Sequence, residues 1–199
     1  MTLPIADPTR FGPDKASYSN QSTIKGEIRR LGCDEEQLFR DHLLRLDPDT
    51  RQNRFAMPVD DAFLCRYAHN SMALNPVIFG YFEDGVLRGS AELRALADPQ
   101  SAEAAFCIET GWRKRGIGTR LMGKLLDEAS RQRFGQIYIN CLATNRIMQA
   151  LAKKFSARFT YLAGDMIGLI KTPKGGVANA LVKGLAKLLS QSGSAVKAV

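Results

Sequence analysis

No stretch of this sequence is long and apolar enough to cross a bilayer, since a spanning helix needs about 18 or more consecutive apolar residues. The proline-containing N-terminal stretch lacks the apolar core that a secretory signal peptide requires. The chain also has no CxxC pair, and it has only two histidines, His42 and His69, which lie far apart in the sequence. The sequence therefore predicts neither a membrane span nor a metal site.

The four cysteines are predicted to be free thiols. Cys107 and Cys141 fall within apolar, strand-like runs, and a chain of 199 residues can bury a core without disulfide staples. No histidine lies near Cys107 in the sequence, so we expect Cys107 to be a core residue and not a nucleophile. Free thiols are typical of a reducing compartment, and a cytoplasmic protein is therefore expected.

The charge balance is strongly basic, with a net charge of +8 and a pI of about 9.5. Such a balance favours an anionic partner, which could be nucleic acid, acidic lipid or a phosphorylated small molecule. The sequence shows neither a helix-turn-helix pattern nor basic residues interleaved with aromatic ones. We therefore do not expect nucleic acid to be the partner.

Composition and patterning divide the chain into three parts. Residues 1–23 are predicted to be a flexible arm, 24–171 a single domain, and 172–199 a tail that is basic and free of acidic residues. The apolar residues of the tail recur at helical spacing. We expect a terminal helix that packs on the domain or on a partner, with a membrane-surface helix and a largely mobile segment as the alternatives.

The domain is predicted to be a mixed α/β domain that contains an antiparallel meander. Strands are predicted over 24–31, 77–83, 86–96, 102–110 and 136–143, followed by a closing hairpin at 157–171. Helices are predicted within 33–46, 58–72 and 144–155, and a further one of about 16 residues begins at Ile117. A short helix or turn is predicted at 48–55. Gly135 is expected to end that helix, and Thr144 or Asn145 to cap the next one.

The stretch "GWRKRGIGTRL" at 111–121 carries the main functional signal. It does not match the P-loop pattern, and Leu121 stands where a dinucleotide-binding fingerprint would have its third glycine. It does match [RQ]-x-x-G-x-[GA] between a strand and a helix, through Arg113, Gly116 and Gly118. A helix N-terminus has unpaired amide groups that attract anions, and glycine lets the backbone approach a phosphate closely. The loop is therefore predicted to bind a pyrophosphate.

With this loop and its flanking elements, the sequence resembles the GNAT superfamily of acetyl-CoA-dependent N-acetyltransferases. The resemblance spans about 24–171 and is strongest over 102–155, where "AEAAFCIET", the glycine loop, "QIYINCLA" and "TNRIMQALAKKF" follow in order. It is similar in particular to the acyltransferase domain of bacterial Pat-type protein lysine acetyltransferases. Their Ala-Glu-x-Ala strand matches 102–105, and their closing strands resemble "GDMIGL".

The resemblance implies a GNAT fold, in which helices cover both faces of a mixed, mostly antiparallel sheet of six to seven strands. Two parallel strands of that sheet splay apart to hold acetyl-CoA. The residues that the resemblance places at the cofactor are the strand end Ile108 and Thr110, the loop residues Arg113, Lys114, Arg115, Gly116, Ile117, Gly118 and Thr119, and Asn145. The strand end would contact pantetheine through backbone groups, the loop would hold the pyrophosphate, and Asn145 would face pantetheine.

The resemblance also implies the chemistry, with Glu103 as the general base that deprotonates an amine, directly or through one water. Many GNAT enzymes have a tyrosine where this chain has Ala152, so the CoA thiolate is expected to leave unassisted, and Tyr161 is expected to be a packing residue. The acceptor is left open between a protein lysine and a small-molecule amine, and a homodimer is left open as the assembly. The alternative is a non-catalytic acyl-CoA-binding or sensing module.

Overall fold

The computed structural model describes residues 25–73, 77–162 and 164–172. The predicted arm at 1–23 lies outside these residues, as does the predicted tail beyond Thr172. None of the helices in the described residues is both long and apolar enough to cross a membrane.

The described residues contain seven strands, which form one sheet. The strands are β1 Glu27–Arg30, β2 Val77–Glu83, β3 Val86–Ala95, β4 Ser101–Ile108, β5 Gln136–Leu142, β6 Arg158–Leu162 and β7 Asp165–Lys171. Their order in the sheet is β1-β2-β3-β4-β5-β7-β6. All neighbouring pairs are antiparallel except β4 and β5, which run parallel. The predicted mixed, mostly antiparallel sheet is confirmed.

Five α-helices in the described part of the chain cover the two faces of the sheet. They are α1 Glu36–Leu44, α2 Pro48–Phe55, α3 Asp61–Ala73, α4 Ile117–Arg131 and α5 Arg146–Lys153. The apolar side chains of α4 pack with Ala152 of α5 in one core cluster, whereas those of α1 and α3 form a second cluster on the other face. The predicted arrangement, with helices on both faces, is confirmed.

The local signals in the sequence explain most element boundaries. Asp84 and Gly85 have φ angles of 53° and 75°, as a tight hairpin turn between β2 and β3 requires. Pro48 occupies the first turn of α2, and the Asp47 side chain accepts a hydrogen bond from Thr50 N at 2.9 Å. Within the sheet, the alternation of side chains along β4 directs Ala102, Ala104 and Phe106 to one core cluster and Cys107 to the other.

The end of α4 differs from the prediction. Gly135 was expected to terminate this helix, but the helix ends at Arg131, and the left-handed φ of 63° belongs to Arg133. Gly135 instead donates its N–H to Gln100 O at 2.8 Å, where the chain enters β5. The first available glycine was therefore the wrong stop signal, because a non-glycine residue adopts the left-handed turn here.

Candidate active site

The defining feature of the site is a fork between β4 and β5. The two strands are paired at only three positions, and the last pair is Glu103 with Tyr138. Beyond that point β4 continues to Ile108 and β5 to Leu142 without pairing to each other. A pair of parallel strands that separates in this way leaves unpaired backbone groups along both inner edges.

Glu103 lies at the base of this fork. Its Oε1 accepts a hydrogen bond of 2.8 Å from the amide of Asn140, which lies two residues beyond the last pair on β5. Its partner on the other neighbouring strand is Arg94 of β3, and directly opposed residues of antiparallel strands share a face of the sheet. Glu103 is half-buried, so it is held in place and remains accessible.

The edge of β4 toward the fork presents backbone donors. Glu109 N donates to Arg88 O on β3 at 3.0 Å, so the N–H of Ile108 is directed to the opposite edge of the strand. That edge is the one from which β5 has separated. The predicted contact of this backbone group with pantetheine stays a prediction.

The glycine loop ends in the first turn of α4, with Gly116 as the residue before the helix. Lys114 and Gly116 have left-handed φ angles of 60° and 81°, whereas Arg115 between them does not. Within the described part of the chain, the amides of residues 114–119 have no hydrogen-bond acceptor, and the first paired amide is that of Arg120, which donates to Gly116 O. Such consecutive free amides at a helix N-terminus form an anion-binding concavity.

Gly118 lies where the first turn of α4 approaches its neighbours closely. A Cβ on Gly118 would lie 3.3 Å from Leu151 Cδ2 on α5 and 3.4 Å from Ile108 Cδ1 on β4. The contact with Leu151 is tighter than ordinary packing and the one with Ile108 is at its limit, so the lack of a side chain at Gly118 lets the loop, the end of β4 and α5 approach closely.

The three loop cations have different environments. Arg113 donates from Nε to Ile108 O at 3.1 Å and from Nη2 to Thr50 Oγ1, so its guanidinium ties the loop to α2 and to the end of β4. Arg115 donates to Gly111 O at 2.8 Å and forms an ion pair of 3.4 Å with Glu83. Lys114 is exposed, and its ammonium has no partner among the described residues. The structure thus adds a positioning role for Arg113 that the motif alone did not reveal.

Asp47 fixes the other side of the loop. Besides capping α2, its carboxylate accepts a hydrogen bond of 2.6 Å from Thr110 Oγ1. Burial alone would raise the pKa of Asp47, but the hydrogen bonds from Thr110 and Thr50 outweigh it and hold that pKa well below its usual value. Asp47 is therefore a charged anchor for the residues that follow β4.

Asn145 has the capping role that the sequence predicted for it. It precedes α5, and its Oδ1 accepts a hydrogen bond of 3.0 Å from Met148 N. Ala152, on the same helix, is fully buried in the core cluster beneath α4. Tyr161 is 64% exposed on β6, so the expectation that it packs within the sheet is wrong.

A buried cluster that the sequence did not predict lies behind the end of β4. His42 Nε2 is 3.4 Å from Cys107 Sγ, and His42 Nδ1 is 3.1 Å from Glu109 Oε1. Glu109 also forms ion pairs of 2.9 Å with both Arg45 and Arg88. His42 is fully buried and Cys107 almost so, which confirms that Cys107 is a core residue.

The electrostatics of this cluster bind α1 to β4. Burial alone would lower the pKa of His42, but the neighbouring Cys107 and the bond to Glu109 raise it to about 9. Burial alone would raise the pKa of Glu109, but the hydrogen bonds from His42 and Arg88 lower it. These contacts hold the end of β4 against α1. Ile108, which faces the fork, lies between Cys107 and Glu109 in this segment. His42 and Cys107 are 65 positions apart, so no local pattern signalled their contact.

Comparison with known proteins agrees with this geometry. The family model described as "Acetyltransferase (GNAT) family" matches residues 40–156, which is more than half of the chain. A search of curated proteins finds no match.

Several solved structures share the fold at low identity. The GNAT domain of PAT from S. lividans is 14% identical, with a TM-score of 0.63 over 73% of this chain and 90% of that one. The PaiA N-acetyltransferase from Thermoplasma acidophilum, in complex with coenzyme A, is 16% identical, with a TM-score of 0.58 over 74% and 99%. RimL, a ribosomal L7/L12 alpha-N-protein acetyltransferase in complex with coenzyme A, is 14% identical, with a TM-score of 0.61 over 77% and 97%.

The fork between two parallel strands, the amide-rich loop that opens α4 and the matched family model agree with one another. The chain belongs to the GNAT acetyltransferase family.

Proposed function

We propose that this protein is an acetyl-CoA-dependent N-acetyltransferase that transfers the acetyl group directly to a primary amine. The observation that carries the proposal is the position of Glu103 at the base of the β4–β5 fork, with the free amides of the glycine loop at the other end of β4. One strand thus connects a carboxylate base to an anion site.

The distance between Glu103 and the free loop amides suits the length of acetyl-CoA, the acetyl donor. Ile108 follows Glu103 by five positions, so an extended strand places the two residues roughly 16 Å apart. The amides of residues 114–119 would hold the pyrophosphate, helped by the side chain of Lys114 and the positive end of α4. The pantetheine arm would run along the free edge of β4, where the N–H of Ile108 is available. The complexes of PaiA and RimL with coenzyme A support this assignment.

The chemistry requires that an ammonium group lose a proton before it attacks. In the proposed reaction Glu103 accepts that proton, directly or through one water, and Asn140 holds the carboxylate in place. The amine nitrogen then attacks the thioester carbonyl, a C–N bond forms and the C–S bond breaks. The second nitrogen proton is lost as the amide forms, and the departing thiolate takes a proton from solvent.

The departing thiolate has no acid at the position that usually supplies one. Ala152 replaces the tyrosine that many family members have there, and it is fully buried. A free thiol has a pKa near 8.5, so a thiolate is an acceptable leaving group without assistance. This substitution is also the feature that favours the second candidate function, a non-catalytic acyl-CoA-binding module.

One experiment separates the two functions. The full chain is incubated with acetyl-CoA and a panel of amines, amino acids and lysine peptides, while free thiol and acetylated products are followed. Release of CoA above the hydrolysis background, together with an acetylated amine, is expected. Tight binding of acetyl-CoA without any acetylated product would contradict the enzyme proposal and support the binding module. Cytoplasmic location and the oligomeric state stay predictions.

Substituting Gly118 by valine is expected to weaken acetyl-CoA binding by about tenfold or more. The new side chain would collide with Leu151 and Ile108 and displace the amides of the first turn of α4, so at least one charge-assisted hydrogen bond to phosphate would be lost. Titration calorimetry with acetyl-CoA measures the change. The matched control is Gly111→Val, because a Cβ at Gly111 meets no atom within 4 Å. Equal affinity in the Gly118 variant and its control would remove Gly118 from the binding site.

A further inference from the structure

A cavity of about 270 Å³ opens between α3 and the end of β3, the strand that pairs with β4. Its lining residues are Phe63, Arg66, Tyr67, Asn70, Ser71 and Arg94. Two arginines, two polar side chains and two aromatic rings therefore meet in a space large enough for a small molecule or one peptide side chain. The proposed reaction assigns no role to this cavity.

The charge of the cavity is positive. Arg66 is exposed, and its guanidinium has no ion pair within the described ranges. Arg94 is partly exposed, and it donates from Nη2 to Ser71 Oγ, to Tyr67 Oη and, at 3.1 Å, to Glu92. Its Nε and Nη1 have no acceptor in the described part of the chain, so these donors remain available to a ligand.

The buried carboxylate of Glu92, next to the cavity, does not neutralise the positive charge of the cavity. Glu92 is only 1% exposed, and it pairs with Arg54 at 2.5 Å as well as with Arg94. Two guanidinium groups thus share one carboxylate, and Arg66 adds a further positive charge. The acidic residue nearest in the adjacent cavity is Asp60, whose Oδ1 is engaged by Phe63 N at 2.7 Å.

The position of the cavity relates it to the proposed base. Arg94 is the cross-strand partner of Glu103, so the two side chains start from the same face of the sheet, on backbones roughly 5 Å apart. They form no ion pair with each other, because Arg94 turns toward α3 and Glu103 turns toward Asn140. Arg94 and Glu103 therefore start from one cross-strand pair, and their charged groups are held by different neighbours.

The geometry points to an acceptor that carries a carboxylate near its amine, with the carboxylate held by Arg66 and Arg94 and the amine presented to Glu103. This inference rests on the proposed acetyltransferase function and names its substrate class. Guanidinium groups bind carboxylates through paired, charge-assisted hydrogen bonds. Phe63 and Tyr67 are stacked, with centroids 6.1 Å apart, and they offer an apolar wall for the chain between the two ends of the acceptor.

The carboxylate could belong to a free amino acid or to an acidic residue beside a lysine in a peptide. The test uses both sources, each with an uncharged counterpart of the same shape. The first pair is ε-aminocaproate with ε-aminocaproamide. The second is a pentapeptide whose central lysine is preceded by aspartate, compared with the same peptide containing asparagine. For each pair, kcat/KM for acetyl transfer and Kd in the presence of CoA are measured on the full chain.

The native protein is expected to prefer the carboxylate member of at least one pair by about tenfold, the size of one charge-assisted hydrogen bond. The pair that shows the preference identifies the source. In Arg66→Gln and Arg94→Gln, the ratio of kcat/KM for the carboxylate member to kcat/KM for its uncharged counterpart should fall toward one. Because both values come from the same variant, a general loss of activity does not change this ratio. In Arg133→Gln, which removes an exposed arginine outside the cavity, the ratio should stay at its native value.

Equal values for both members of each pair in the native protein, or a preference retained in both cavity variants, would overturn the inference. These results are distinct from failure of the proposed function. Turnover of charged and uncharged acceptors at equal rates leaves the acetyltransferase intact and removes only the carboxylate site. Absence of turnover removes the acetyltransferase, and the Kd values then decide separately whether the cavity selects a carboxylate.

Discussion

Replacement of Glu103 by glutamine is expected to lower kcat for acetyl transfer by about 10²- to 10⁴-fold, the range that a general base contributes. Glutamine has nearly the same shape and can still accept the hydrogen bond from Asn140, but it cannot take a proton from an ammonium group. The affinity for acetyl-CoA should change little, because the pyrophosphate would bind at the other end of β4. Steady-state kinetics with an accepted amine, together with calorimetry for acetyl-CoA, measure both effects.

Two further variants separate catalysis from structure. In Glu103→Ala, added formate is expected to restore part of the lost activity, since a small carboxylate can occupy the vacated space and accept the proton. A purely structural role for Glu103 would not respond to formate. Glu27→Gln, at a carboxylate that is 72% exposed on β1, is the control for the loss of one negative charge and should retain native kcat. Native kcat in Glu103→Gln would remove this residue from the mechanism.

The element order and the glycine loop could be predicted because their signals are local. Asp84-Gly85 marks a hairpin, Pro48 starts a helix, and Gly116 with Gly118 opens α4, each within a few residues of its own sequence. The placement of Glu103 depended on the family resemblance, because spacing alone does not distinguish a base at a fork from a glutamate on a strand edge. Its contact with Asn140, across a gap of 37 positions, supplies what the spacing lacked.

The sequence could not predict the buried ion pairs between residues that are far apart in the chain. Arg54 and Glu92 belong to α2 and β3, and His42 and Glu109 to α1 and the end of β4. In the sequence each appears as an ordinary charged residue, and its burial becomes evident only when the helices fold over the sheet. Tyr161 shows the reverse case, because a strand-like aromatic that suggested packing lies exposed on β6.

Loss of the buried carboxylate of Glu92 is expected to have the largest effect on stability. Burial alone would raise the pKa of Glu92, but the charges of Arg54 and Arg94 outweigh it and lower that pKa, so the group is anionic at neutral pH. Glu92→Leu would leave the guanidinium of Arg54, itself buried, without its counter-charge. Breaking one member of such a pair costs about 3–5 kcal/mol. Tm should then fall by roughly 10 °C for a domain of this size.

The double variant Arg54→Met/Glu92→Leu tests whether the loss arises from an unpaired charge. Replacement of a whole buried ion pair by apolar residues is often close to neutral, so much of the lost stability should return. Asp61→Asn is the matched control, because Asp61 pairs with Arg51 while its own side chain is 71% exposed, and such pairs contribute about 1 kcal/mol or less. Urea denaturation of the three variants gives the free energies. A Glu92→Leu variant that is no more destabilised than Asp61→Asn would show that the Arg54–Glu92 pair does not hold α2 against the sheet. Arg94 would then be positioned by its hydrogen bonds to Tyr67 and Ser71 alone.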